Sequence, residues 1–163
     1  LYHMAILLPS REDGRIVGVT EELSAQEIYE MGRKVEPFLI AKDTRMGHIH
    51  LSVKDSQLAS TFYQDVLKLA DKFTIPSASW IASGDYHHHL AVNEWGGKNL
   101  SKRDKDMPGL AYYVVEVAKK EDLIGIAERA NNRGAKVKWS SSNELTVEDK
   151  DGILTRVRKN INN

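Results

Sequence analysis

The spacing of apolar residues changes along the chain, and each change marks a new secondary-structure element. Between Met46 and Asp55, apolar residues alternate with polar ones, which is the two-residue period of a strand with one apolar face. From Leu58 to Leu67 the apolar residues recur at intervals of three and four, as in an amphipathic helix, and Asp55 is placed to cap it. His48 and His50 share one parity of the strand and therefore point to the same side.

Three further strands are predicted after this helix, separated by turn residues. They cover Lys72 to Ile75, Ala78 to Ala82, and Tyr86 to Val92. The third contains three consecutive histidines. On strand alternation, His88 faces away from its two histidine neighbours.

The same pattern restarts after Pro108. The predicted elements are a strand at Leu110 to Val117, a helix at Lys119 to Asn132 with Gly134 as its stop, and strands at Lys136 to Trp139, Glu144 to Glu148 and Ile153 to Arg158. Residues 46 to 93 and 109 to 158 thus repeat one βαβββ order. This order predicts an α+β fold, in which paired modules form a curved mixed β-sheet around a cavity with the helices outside.

The beginning of the chain has a different character. Residues 1 to 8 form an apolar, strand-like run that contains His3 and is stopped by Pro9. Ser24 with Glu27 three positions later matches a capping box and predicts a short helix to Met31. A charged segment then leads to a domain boundary near Thr44.

Composition narrows the class of function. The 163 residues carry no net charge, with a pI of about 7.2, so no surface for nucleic acid or for an anionic membrane is expected. The sequence has no cysteine, which excludes thiolate metal ligands and suits a reducing compartment. A cytoplasmic location is the expectation.

Several motifs resemble the vicinal oxygen chelate superfamily, which includes glyoxalase I, bleomycin-resistance proteins and extradiol dioxygenases. They are Gly47-His48-Ile49-His50-Leu51-Ser52-Val53-Lys54-Asp55, Phe62-Tyr63-Gln64-Asp65-Val66-Leu67 and Asp149-Lys150-Asp151-Gly152. Tyr86-His87-His88-His89 with Asn93-Glu94-Trp95 is most like the two-module catechol 2,3-dioxygenase-like proteins. The resemblance implies the fold given above, a small aromatic or hydrophobic ligand, and a homodimer.

The resemblance also divides the chain. Residues 1 to 12 look like the remnant of a preceding module, residues 13 to 45 like a linker with a short helix, and residues 46 to 158 like the glyoxalase/dioxygenase-like pair. The expectation that follows is either that the sequence is a truncated product or that a segment near residues 12 to 13 is missing from it.

Members of this superfamily hold Fe(II) or Mn(II) with two histidines and a glutamate, so the resemblance implies such a cofactor. The three ligand positions fall on His48, Tyr112 and Arg156. Because an arginine is permanently cationic, it repels a dication at contact distance. No complete triad is therefore expected within residues 46 to 158, and His48 is either a relic or a ligand of an altered site. His3 matches the second ligand position of the preceding module, although a lone histidine on a strand is more often structural.

By the same resemblance, His88 matches the acid–base catalyst of extradiol enzymes, a role that suits an imidazole. The alternative is that the three histidines are partly exposed packing residues. Trp95, with Tyr112 and Arg156, is placed in the cavity as a substrate contact, although aromatic residues on strands belong more often to a core.

Two functions follow from these expectations. The chain is either part of a metal-dependent, ring-cleaving oxidoreductase whose metal lies outside residues 46 to 158, or a non-catalytic protein that binds a small molecule, as bleomycin-resistance proteins do. The two hypotheses differ in metal content.

Overall fold

A computed structural model describes residues 24–31, 46–97, 100–102, 104 and 106–160. The chain divides into two compact units, Leu1–Met46 and Gly47–Asn163. In the first unit, helix α1 covers Ala25–Met31, and the backbone N–H of Glu27 donates to Ser24 Oγ over 3.3 Å. The helix start predicted from this pair is confirmed. The strand expected at residues 1 to 8, His3, and the segments around residues 12 to 13 and Thr44 lie outside the described residues.

The second unit begins with one βαβββ module. Its elements are β1 (Ile49–Ser52), α2 (Ser56–Leu67), β2 (Ala70–Ile75), β3 (Ala78–Ala82) and β4 (Leu90–Asn93). The four strands form a mixed sheet in the order β1-β4-β3-β2, in which β1 runs parallel to β4 and the other pairs are antiparallel. Every residue of β4 is buried, because this strand has a neighbour on each side and α2 packs near it.

The second module repeats the first. Its elements are β5 (Tyr113–Val117), α3 (Lys120–Asn132), β6 (Lys136–Ser141), β7 (Glu144–Glu148) and β8 (Leu154–Lys159). The strand order is β5-β8-β7-β6, in which β5 runs parallel to β8 and the other pairs are antiparallel. The α+β fold of paired βαβββ modules is confirmed. The eight strands form two four-stranded sheets rather than one continuous sheet, because each hydrogen-bond ladder is completed within its own module.

Both helices of this unit have the ends that their sequences specify. The Asp55 side chain accepts the N–H of Leu58 over 2.9 Å at the start of α2. After α3, Gly134 adopts the left-handed conformation with φ 74°, and the N–H of Ala135 bonds back to the Ala130 carbonyl over 3.0 Å. Gly134 is therefore the stop that was predicted.

The two modules share their cores. Val66 of α2 belongs to the core of the second module, together with Leu123 and Leu145, whereas Tyr113 of β5 packs against the core of the first. The guanidinium of Arg129 donates to the Val66 carbonyl through Nε and Nη2, over 3.1 and 3.0 Å. This bond satisfies a carbonyl in the last turn of α2 and fixes α2 beside α3.

Two predicted strands are shorter in the structure. The strand expected from Tyr86 begins only at Leu90, because pairing with the neighbouring strands starts at His89. The His89 N–H donates to the Ile81 carbonyl over 3.0 Å, and the His89 carbonyl accepts the N–H of Ile49 over 3.1 Å. The alternation used to orient His88 away from its neighbours was therefore wrong. Similarly, β5 begins at Tyr113 rather than at Leu110. None of the described helices is long and apolar enough to cross a membrane.

Candidate functional site

Three histidine side chains converge at the start of the first module. His48 immediately precedes β1 and His50 is its second residue, and their ring centroids are 5.3 Å from each other. The ring of His88 lies 4.2 Å from that of His48 and 5.3 Å from that of His50. One ring nitrogen from each of the three lies within 4.8 Å of the others. We call these three residues the histidine cluster.

The backbone explains why the cluster forms. Strand alternation places His48 and His50 on one side of β1, as the sequence predicted. The segment that carries His88 is attached to β1 and β3 by the two backbone hydrogen bonds of His89. The histidine cluster is therefore built on paired strands, with His88 held one residue before the point of attachment.

Within the cluster, His50 Nε2 and His88 Nε2 are 3.2 Å apart. At this distance one ring donates to the other when both are neutral, or both nitrogens direct lone pairs at a shared cation. Among the described residues, these three histidines form the group of potential metal ligands, and that group includes no carboxylate.

Burial lowers the pKa of His88. Only 7% of His88 is exposed, and this burial, followed by repulsion from the neighbouring imidazoles, lowers its pKa to about 3. The pKa of His87 is also lowered, first by burial and then by His48. His88 is therefore neutral at physiological pH, with a lone pair available on its ring.

A buried polar atom without a partner lies beside the cluster. His87 Nε2 has no hydrogen-bond partner among the described residues, and the His87 ring lies 5.4 Å from that of His48 in an edge-on orientation. Buried polar groups are nearly always satisfied, so an orphan of this kind indicates water, an ion or a ligand nearby.

A row of aromatic rings continues from the cluster across the first sheet. Trp95 lies 6.3 Å from His50 and 6.3 Å from Trp80, and Trp80 lies 5.3 Å from Phe73. Trp95 is 55% exposed and Phe73 59% exposed. These rings, which we call the aromatic row, form an accessible apolar surface that begins at His50.

A cavity of about 580 Å³ also begins at His50. It is bounded by the end of β1, by Leu100 to Lys102, by Leu110 and by the loop Lys150 to Ile153 between β7 and β8. Both modules therefore contribute to its walls. Trp95, Tyr112 and Arg156, which were expected to line a cavity, are not among the residues that line this one.

Tyr112 and Arg156 instead form a pair with each other. The Arg156 guanidinium carbon lies 3.6 Å from the centroid of the Tyr112 ring, which is a cation–π contact. Arg156 lies opposite Val114 in the β5–β8 ladder, so its side chain emerges on the same face as that of Tyr112, two residues earlier. The contact of His48 with His88 thus lies in the first module, and the contact of Tyr112 with Arg156 lies in the second.

The sequence identified two members of the cluster and missed the third. His48 was a candidate ligand and His88 a candidate catalyst, whereas His50 was noted only as pointing the same way as His48. The parity shared by His48 and His50 was the signal available for it. The sequence did not indicate that the segment before β4 is irregular. This irregular segment allows the His88 ring to reach both His48 and His50.

Comparison with known proteins gives consistent results. The chain is 31% identical to the catechol-2,3-dioxygenase of Bacillus subtilis (strain 168) over 139 residues, which cover 84% of this chain and 48% of that protein. The chain therefore spans about half the length of this curated relative. No protein-family model matches the chain.

Solved structures share the fold. A glyoxylase/bleomycin resistance protein/dioxygenase domain from Frankia sp. EAN1pec superposes with a TM-score of 0.56 at 21% identity, over 71% of this chain and 97% of that domain. A genomically encoded fosfomycin resistance protein from Listeria monocytogenes gives 0.54 at 14% identity, over 72% of this chain and 93% of that one. The predicted resemblance is confirmed: the chain is similar in sequence to a catechol-2,3-dioxygenase and in fold to a glyoxylase/bleomycin resistance protein/dioxygenase domain.

Proposed function

We propose that the chain is part of a catechol 2,3-dioxygenase-like, metal-dependent oxidoreductase that cleaves an aromatic ring, and that residues 47–160 bind the small aromatic molecule. The observation that carries this proposal is the aromatic row that leads into the histidine cluster.

The aromatic row suits a planar ligand for physical reasons. Stacked and edge-on ring pairs gain about 0.5–1.5 kcal/mol beyond the burial of their area. Trp95 offers more than half of its surface to a ligand, and its neighbour His50 belongs to the histidine cluster. A phenol stacked on Trp95 would therefore have its hydroxyl group on the side of the histidines.

The iron or manganese implied by the family does not fit the residues at its expected positions. A site of two histidines and one carboxylate needs an anionic ligand, and Arg156 stands in that position with its guanidinium over Tyr112. The guanidinium of Arg156 therefore supplies a positive charge where the resemblance implies a carboxylate. Our proposal therefore keeps Fe(II) or Mn(II) outside residues 46–158, with His3 as a candidate ligand.

The acid–base role expected for His88 belongs to the same proposal. General bases work best with a pKa near the working pH. The pKa of His88, about 3, makes the free imidazole a weak proton acceptor. In the ligand-free chain this argues against acid–base catalysis by His88 and for a role that uses a neutral ring.

The Arg156–Tyr112 pair favours a second candidate function. A cavity of the same fold without a metal would sequester an aromatic compound and leave it unchanged. The cavity volume of about 580 Å³ is within the range of small-molecule sites. The two functions predict the same ligand class and different chemistry.

The test is metal analysis of protein made from the full gene, followed by anaerobic loading with Fe(II) and a ring-cleavage assay with catechol. Our proposal predicts cleavage that is lost in His3→Ala and retained in the matched variant His89→Ala. Binding of catechol without cleavage would instead establish the sequestering function. Absence of both binding and cleavage would refute both candidates.

Two expectations from the sequence accompany this proposal. The homodimer is tested by sedimentation equilibrium of the full chain. The cytoplasmic location is tested by fractionation of the native host. Neither result alters the assignment of the aromatic row.

A further inference from the structure

The histidine cluster has a chemistry that the family's ligand positions do not describe. Only His48 belongs to those positions. His50 lies in β1, and His88 lies in the segment before β4. We infer that His48, His50 and His88 form a tri-imidazole site that binds Zn²⁺. This inference deepens the proposed function by assigning a metal to the site beside the aromatic row, but the binding of zinc does not require ring cleavage.

The first argument is the spacing of the nitrogens. Zinc binds imidazole nitrogen at 2.0–2.1 Å in tetrahedral geometry, which places two ligand nitrogens about 3.3 Å apart. His50 Nε2 and His88 Nε2 are 3.2 Å apart. The third ring, that of His48, contributes a nitrogen within 4.8 Å of both.

The second argument is the type of ligand. Three imidazoles supply no negative charge, which suits an ion that binds nitrogen strongly and disfavours Mn²⁺ and Fe²⁺, both low in the order of divalent affinities. Three histidines with an open fourth position are a known arrangement for catalytic zinc. The ion would keep its full positive charge and would attract the oxygen of a phenol or an enol.

The third argument is that the backbone that carries the cluster is held in place before any ion arrives. The hydrogen bonds from His89 to Ile81 and from Ile49 to His89 join the strands on either side of His88. His87 Nε2, which is buried and has no hydrogen-bond partner among the described residues, lies on the neighbouring ring and offers a partner for water on the ion. A ligand set that is already assembled loses little entropy on binding.

A zinc ion would change the part played by His88. Once a ring nitrogen of His88 is bound to zinc, that nitrogen cannot exchange a proton with a substrate. His88 is then a ligand, and the acid–base role given by resemblance does not apply to it.

The competing explanation is that three consecutive histidines chelate metal adventitiously. This explanation makes a different prediction, because His89 belongs to the run of histidines but not to the cluster. His89 Nδ1 accepts the N–H of Ser83 over 3.2 Å, on the other side of the segment. His50 belongs to the cluster but not to the run. Substitutions at these two positions therefore separate the alternatives.

The experiment is isothermal titration of the metal-free full chain with Zn²⁺, with Co²⁺ as a spectroscopic probe of geometry. We expect one Zn²⁺ per chain and, with Co²⁺, the intense visible bands of a four-coordinate ion. His50→Asn and His88→Asn should each raise the Zn²⁺ dissociation constant by about 100-fold or more. Loss of a direct ligand costs more than the roughly 10–100-fold loss caused by removing a supporting residue. His89→Asn should leave it within about threefold of wild type, because that ring makes no bond to the ion.

Three results would overturn the inference: equal losses in His88→Asn and His89→Asn with none in His50→Asn, tighter binding of Mn²⁺ than of Zn²⁺, or no binding of Zn²⁺. Circular dichroism of each variant confirms that the fold is intact. Catechol binding by the zinc-free chain is measured separately, so failure of the zinc site and failure of the proposed function remain distinguishable.

Discussion

The hydroxyl of Tyr63 donates a hydrogen bond of 2.6 Å to Asp149 Oδ2, and so joins helix α2 of the first module to the loop between β7 and β8 of the second. Both residues are buried. Asp149 Oδ1 accepts the N–H of Ile153 over 2.8 Å, which completes the turn. Tyr63 and Asp149 each belong to a motif on which the family resemblance depends. These motifs therefore act together, as a buried bond between modules.

Removal of the donor should destabilise the chain. Tyr63→Phe leaves the ring in its core but deprives a buried carboxyl group of its partner, which typically costs about 1.5–3 kcal/mol. We expect the free energy of unfolding in urea to fall by this amount with no change in its denaturant dependence. A loss below about 0.5 kcal/mol, the scale of a surface substitution, would show that the bond contributes little.

The same carboxyl group predicts how stability depends on pH. Burial raises the pKa of Asp149 above its ordinary value of 3.8, although the hydrogen bond from Tyr63 acts in the opposite direction. The folded chain therefore retains this proton to a higher pH than the unfolded chain does. The contribution of Asp149 to stability is largest at low pH and declines as the pH rises from 3.8 through the raised folded value.

Asp149→Asn tests the sign of this dependence, because an amide does not titrate. We expect the unfolding free energy of wild type minus that of Asp149→Asn to decrease between about pH 3 and pH 7. Urea titrations at a series of pH values measure it. An increase with pH would mean that the ionised carboxylate stabilises the fold, contrary to the assignment.

Much of the fold was predictable because its signals are local. The alternation around His48 and His50 and the three- and four-residue spacing after Leu58 depend on neighbouring residues alone. The repeat fixed the class of fold. The division into two sheets depends on long-range pairing of strands, which single-sequence patterns do not encode.

The candidate site was predictable only in part, for the same reason. His48 and His88 were identified from motifs, but their contact with His50 depends on where β4 begins. That position is set by the hydrogen bonds between His89 and its neighbouring strands. The contact between Tyr112 and Arg156 followed from no local pattern, since it joins residues 44 positions apart across a parallel ladder.

The mismatch between these two residues and a metal triad can be tested by reversal. The double substitution Tyr112→His with Arg156→Glu provides an imidazole and a carboxylate at the expected positions. We expect this variant to bind Fe(II) under anaerobic conditions at least about tenfold more tightly than wild type, because it replaces a repelling charge with a ligand. Anaerobic calorimetry measures the affinity.

The matched control is Tyr112→His with Arg158→Glu, which makes the same change in charge on the same strand. Arg158 forms its ion pair with Glu116 rather than contacting Tyr112. Equal gains in both double variants would show that net charge alone is responsible. Tight stoichiometric Fe(II) binding by wild type, lost in Arg156→Glu, would show that the ligand positions are misplaced.

The central claim, that a small aromatic molecule binds on the aromatic row beside the histidine cluster, is tested most directly by calorimetric titration of the full chain with catechol. Trp95→Leu removes the exposed ring next to His50, whereas Trp139→Leu removes a similarly exposed ring, 43% accessible, from β6 of the other sheet. We predict that Trp95→Leu weakens binding about tenfold, the equivalent of one stacking contact, and that Trp139→Leu leaves it unchanged. Equal affinity in wild type and Trp95→Leu, or a loss confined to Trp139→Leu, would contradict the account.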